Sequence, residues 1–345
     1  MGILDKNWQD KVSHISQVGG IETSVLDNGL AKGTRIAWFN TGRGLRFKVV
    51  LDRGMDIMDA SYKEHGLTWI SHNGTTAAQP FSNRGLEWLK TFGGGLLTTC
   101  GLSNVGGPNE DEFGERGLHG RISNLPAEVE SIIQPDPFRG QMEMSITGIM
   151  RESSVFGPVL ELRRTISATL GTSEIRISDD VLNKGNTKVP LMLLYHINLG
   201  YPLVNEGSKI NWEGDWKARD EKSEELFNDS NDFKTCPNPL DSHLGFGEAA
   251  AFIDMKADNN GFCHCGIENI KENLKLDIKY KKDELPAFCQ WQHWAKGEYV
   301  TGLEPGTNPP IGQKQAREEN TLEFLEPKQS RKFNLTFNLS TLEKQ

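Results

Sequence analysis

The sequence has no long apolar run. Across its 345 residues nothing approaches the ~20 consecutive apolar residues that span a bilayer. The segment Met1–Ser16 is broken by Asp5, Lys6, Asp10 and Lys11 where a signal peptide would need an apolar stretch. No membrane partner is expected, and the expected location is cytoplasmic. A basic excess is also missing. The formal net charge is −9, with both signs interspersed, so no basic stripe exists to neutralise a phosphate backbone and nucleic acid is excluded as a partner. Cysteine is scarce and odd in number: Cys100, Cys236, Cys263, Cys265 and Cys289 do not make the paired framework of a small secreted domain. Free thiols are expected, and sequons such as Asn334-Leu335-Thr336 carry no meaning in a chain that is not secreted.

A sustained 3.6-residue apolar period is the next absence. Only Gly2–Ser13 and Arg84–Thr91 offer short helical stretches, and neither suggests a βαβ crossover. What is present is alternation. Runs at Thr34–Phe39, Arg46–Leu51, Met55–Tyr62, Gln141–Met150, Val159–Thr169, Glu174–Leu182, Val189–Asn198, Leu274–Tyr280 and Phe333–Leu342 read as strands. Turn signals separate them, including Asp27-Asn28-Gly29 and Asn40-Thr41-Gly42. The fold class is all-β. Length alone allows two domains, but without an internal repeat or a low-complexity linker the chain is read as one domain over 1–345. The polar stretch Gly214–Leu244 is either a long surface loop or an excursion at a rim.

Familiar catalytic signatures are absent too: no Walker A loop, no Gly-x-Ser-x-Gly elbow, no His-Glu-x-x-His helix. In Cys263-His264-Cys265 the two thiols share one face of a strand and His264 opposes them, with no second pair to complete a tetrahedral site, so no metal is assigned. Gly93-Gly94-Gly95 precedes no helix and reads as a tight bend.

Three segments combine titratable residues with glycine, proline and apolar neighbours: Gly117–Arg121 around His119, Leu194–Gly200 around His196, and Thr301–Asn308 around Glu304. A strand alternates its faces, so His196 and Asn198 lie with Met192 and Leu194 while Tyr195 and Ile197 point the other way. A His in a strand is more often a hydrogen-bonded core residue than a catalyst; the neighbouring Asn on the same face favours a polar cleft. Glu304, set between Gly302 and Pro305-Gly306, stands where the backbone bends and a carboxylate can project, though such a Glu is usually only solvated.

Taken together and in order, His119-Gly120, His196-x-Asn198 and Glu304 resemble the aldose 1-epimerase (galactose mutarotase-like) superfamily. Val50–Ile57, Leu96–Leu102, His119–Ala127 and Gly302–Asn308 further resemble an aldose 1-epimerase-related branch, and the likeness extends from about Arg35 to Leu342. The resemblance implies a large β-sandwich with few short helices, a small-molecule carbohydrate as partner, and no cofactor. It implies Glu304 as the base that takes the anomeric hydroxyl proton, His196 as the acid on the ring oxygen, and His119 as a hydroxyl ligand or second acid. An ionised carboxylate and an imidazole near pKa ~6.5 suit those roles. Arg84 and Asn198 are further candidates for binding sugar. Arg53 is a candidate reader of an acidic or phosphorylated sugar, or else a brace at a turn. The family's substrate-binding Asp has its candidates in Asp215, Asp220, Asp241 and Asp254. Phe288, Trp291 and Trp294 offer stacking faces or a core cluster. The implied activity is interconversion of sugar anomers; a carbohydrate-binding or sensing protein with the same cleft is the alternative.

Overall fold

A computed structural model describes residues 7–342. Antiparallel strands form a 5-stranded, an 8-stranded and a 7-stranded sheet with a small two-stranded ribbon. The all-β expectation holds. In the 8-stranded sheet the order runs from Lys209–Trp212 through Phe262–Asn269, Leu274–Lys281, Ser330–Ser340, Glu174–Asn183, Val159–Thr169 and Glu143–Ser153 to Glu128–Ile133. The 7-stranded sheet carries Gly214–Ala218, Ala249–Met255, Ala287–Ala295, Glu298–Gly306, Val189–Leu199 and Glu323–Leu325 in that order, with Thr98–Leu102 paired to Val189–Leu199.

Each strand read from alternation appears within a few residues of its expected bounds, Val159–Thr169 without change. The helical expectations shrink to 3-10 turns at Trp8–Asp10 and Glu87–Lys90, while residues 2–6 of the first lie outside the described residues. Gln313–Glu318, a short helix, was not read from sequence. No helix among the described residues is long and apolar enough to cross a membrane.

The strand Val189–Leu199 shows why alternation positions the site. Val189, Leu191, Leu193, Tyr195, Ile197 and Leu199 enter the main core with Ile177, Leu335 and Phe337. Met192 and Leu194 face the other way, into a second cluster with Trp88, Phe92, Cys100 and Val105. Continuing along that second face, the chain presents His196. A buried charge network stiffens the opposite side. Arg164, fully buried, donates to Asp179 Oδ1 and Oδ2 at 2.9 and 2.7 Å, and Tyr195 Oη donates to Asp179 Oδ2 at 2.7 Å. Arg164 also reaches Asp56 at 3.3 Å and the Thr99 hydroxyl at 2.7 Å. These bonds satisfy ions whose desolvation would otherwise cost several kcal/mol each.

Candidate active site

His196 and Glu304 meet through sheet register. Ile197 opposes Leu303 and Asn198 opposes Gly302, which sets His196 opposite Glu304 on neighbouring strands. Thr98 flanks His196 on the far side, and Cys289 flanks Glu304, completing one row across the sheet. His196 Nε2 lies 3.3 Å from Glu304 Oε1 without the alignment of a hydrogen bond. Both side chains are buried, and His196 Nδ1 and Glu304 Oε1 have no hydrogen-bond partner among the described residues. Buried polar atoms are nearly always satisfied, so such orphans mark a place built for a ligand or a proton transfer.

Gly302 makes the Glu304 position possible. A Cβ at residue 302 would stand 2.5 Å from Glu304 Oε1 and 3.2 Å from Trp291 Cε3. The missing side chain leaves room for both.

His119 arrives from a loop, with φ of 55° in the left-handed region that costs a non-glycine residue about 1–3 kcal/mol. The strain is held by neighbours: His119 N donates to Gly106 O, Gly101 N donates to His119 O, and Gly106 N donates to Nδ1 at 3.2 Å. Since Nδ1 accepts, the neutral ring carries its hydrogen on Nε2. Gly120 is required beside it, because a Cβ there would stand 2.4 Å from Gly101 O at φ of 66°. The His119 and His196 rings are 5.8 Å apart.

These three residues line a cleft of about 590 Å³, a size that holds a small ligand. Trp69, Trp88, Phe92 and Trp291 wall it, with Trp291 5.5 Å and Phe92 5.3 Å from the His196 ring. The aromatic run splits by alternation: Phe288 and Trp294 enter the core, while Trp291 and His293 face the cleft.

Burial sets the protonation, against the simple expectation of an ionised Glu and an ordinary imidazole. Desolvation, reinforced by Glu248 and opposed by Arg219, raises Glu304 to about 8. Desolvation, with His119 adding to it, lowers His196 to about 3. Desolvation likewise lowers His119 to about 4, with Glu248 opposing. At neutral pH the pair therefore holds one proton, on the carboxyl.

The other expected site residues fall elsewhere. Arg53 is buried and turned inward, donating to Ser123 O, Thr76 O and Oγ1, and Thr91 O. Four of the five guanidinium N–H groups are used in this way and the side chain is buried, so its place is the brace and not the anion reader. Asn198 is buried and does not line the cleft; its Nδ2 donates to Gly95 O at 3.2 Å and His196 O at 2.9 Å. Arg84 has a side chain 79% exposed, 3.7 Å from Glu115, and does not line the cleft. None of Asp215, Asp220, Asp241 and Asp254 lines it either.

Several cleft residues escaped sequence reasoning, Arg219 and Glu248 among them. Arg219 Nη1 lies 2.9 Å from Glu248 Oε1, and Trp291 Nε1 donates to Glu248 Oε2 at 2.7 Å. Arg219 directly follows the strand Gly214–Ala218, so the polar stretch, expected as a loop or rim excursion, begins as an edge strand and does reach the cleft rim. Neither residue sits in a recognisable motif; only the fold brings them in. Cys263 and Cys265 are buried and His264 faces out to Asp258 at 3.0 Å, as alternation requires. Among the described residues no group of three or more His, Cys, Asp or Glu is placed to hold a metal.

A family model described as "Domain of unknown function (DUF4432)" matches residues 31–339. No curated protein matches the chain. Among solved structures, a protein of Klebsiella pneumoniae subsp. pneumoniae provisionally designated an aldose 1-epimerase is 22% identical, with TM-score 0.81 over 96% of this chain and 85% of that one. A galactose mutarotase-like protein of Clostridium acetobutylicum is 13% identical, with TM-score 0.62 over 94% and 100%. A galactose 1-epimerase of Lactobacillus acidophilus is 11% identical, with TM-score 0.59 over 93% and 98%. At these identities the likeness is one of fold, that of a galactose mutarotase-like sandwich.

Proposed function

We propose, from the premise that this chain belongs to the DUF4432 family and carries a galactose mutarotase-like fold, that it is an isomerase interconverting the anomers of an aldose. The observation that carries the reading is the buried, hydrogen-bond-free approach of His196 Nε2 to Glu304 Oε1 at 3.3 Å on the floor of an aromatic cleft.

The proton count suits ring opening. The neutral pair, a carboxyl beside an imidazole, becomes a carboxylate beside an imidazolium when its one proton crosses to Nε2. The carboxylate then takes the proton of the anomeric hydroxyl while the imidazolium gives its proton to the ring oxygen, and the bond from C1 to that oxygen breaks. The pair returns to carboxyl and imidazole, and the sugar is an open-chain aldehyde. Rotation about C1–C2 and the reverse transfers close the ring on the other face, so no proton is gained or lost overall. His119 Nε2–H donates to a sugar hydroxyl, Trp291 stacks on the C–H face of the ring, and Glu248, held by Arg219, accepts from further hydroxyls.

Anomeric exchange measured by NMR over the spontaneous rate, with neutral, acidic and phosphorylated aldoses, tests the reading. Acceleration that disappears in Glu304→Gln is the expected result. Binding without acceleration of any sugar would point to a carbohydrate-binding protein.

A further inference from the structure

The cleft continues well past the reacting pair, along one face of two neighbouring strands. On Ala287–Ala295 the residues Cys289, Trp291 and His293 all line it; on Glu298–Gly306, Glu304 and Glu298 do. Register pairs Cys289 with Glu304, Trp291 with Gly302, His293 with Val300 and Ala295 with Glu298. At roughly 3.3 Å per residue, the His293 row lies about 13 Å beyond the Glu304 row and the Glu298 row about 20 Å beyond it. One pyranose ring over Glu304 and Trp291 leaves the far half of this floor uncovered.

That far half has polar groups waiting for a donor. His293 Nδ1 donates to Gly247 O at 2.5 Å, which turns Nε2 the other way. It faces Glu298 Oε2 at 3.6 Å, beyond hydrogen-bond reach. A sugar hydroxyl between the two side chains can donate to the Glu298 carboxylate, whose oxygens accept. Above them Phe246 is held 85% in water at the cleft rim, and Leu86 and Leu89 stand 51% and 38% exposed along the same cleft. An exposed aromatic ring beside an imidazole and a carboxylate suits the C–H face and hydroxyls of a sugar.

We propose that the cleft has a second sugar subsite, formed by Phe246, His293 and Glu298, and that the substrate is a reducing disaccharide whose second unit lies there. The inference rests on the anomerase reading for its first subsite. Glu298 and Glu248 bring negative charge to the cleft, and Arg219 is already paired with Asp220 and Glu248. The second unit is therefore not an anion.

The test compares matched sugars by NMR anomeric exchange: glucose with maltose and cellobiose, and galactose with 1,4-linked galactobiose. Phe246→Ala and Glu298→Gln are the variants, chosen because both side chains reach solvent and their loss spares the core. At least one disaccharide is expected to show kcat/KM about tenfold or more above its monosaccharide. Each variant is expected to shrink that ratio about fivefold, through KM and not kcat. A ratio at or below one for every pair, or a ratio that neither variant changes, overturns the subsite. If no sugar is turned over, the anomerase reading fails on its own, and calorimetric binding of the same sugars decides the subsite. Tighter disaccharide binding that is lost in Phe246→Ala supports it; equal binding or none overturns it.

Discussion

Adding one methyl group at residue 302 separates the geometry of the Glu304 carboxyl from the stability of the fold. In Gly302→Ala the new Cβ would lie 2.5 Å from Glu304 Oε1, whereas ordinary contact begins at 3.4 Å. The carboxyl must retreat by 3.4 − 2.5, about 1 Å, which displaces it from its 3.3 Å approach to His196 Nε2. A misplacement of that size costs about 10²-fold in rate, and the loss should fall on kcat. Stability should change little. The atom that must move ends a side chain and is not backbone, so overpacking of about 1–3 kcal/mol is partly offset by the ~0.5–1 kcal/mol that Ala gains over Gly in a strand. NMR anomeric exchange gives the rate, and thermal unfolding followed by circular dichroism gives the stability. A folded variant with kcat within about threefold of the parent would refute the claim that carboxyl placement governs turnover.

Further outcomes follow from the same geometry. Since the proton pair is complete only below the raised Glu304 value, kcat/KM should fall as pH rises through about 8; a profile still climbing there would contradict the shared-proton scheme. A carboxyl raised from 4.5 to about 8 stabilises the fold fully below pH 4.5 and loses that contribution as pH rises through 8. Glu304→Gln, which cannot ionise, should therefore be more stable than the parent at pH 9, by up to about 5 kcal/mol, with the difference shrinking toward pH 5 in calorimetry. An unchanged difference across that range would count against burial of the neutral carboxyl. Asp179→Ala strands the fully buried Arg164 and frees Tyr195 Oη, and should cost about 3–5 kcal/mol in urea unfolding; a loss under ~1 kcal/mol would show that Asp56 alone compensates the guanidinium.

Local periodicity made nine of the 22 strands among the described residues legible, because a half-buried strand must alternate its faces whatever it pairs with. Strands buried on both faces were harder. Ala249–Met255 and Ala287–Ala295 went unread, since apolar or mixed residues on both sides blur the period of two. The face shared by His196 with Met192 and Leu194 was also readable, and it is the face that opens on the cleft.

The sequence by itself determined the all-β class, the alternation of the His196 strand and, through resemblance, the order of His119, His196 and Glu304. Only the tertiary structure decided that His196 stands opposite Glu304, because register is set by pairing between segments more than a hundred residues apart, which no local window contains. It alone turned Arg53 inward and brought Arg219 and Glu248 to the cleft. It alone reversed the protonation expected of Glu304 and His196, because the cost of charging a group depends on what surrounds it in space and not on its neighbours along the chain.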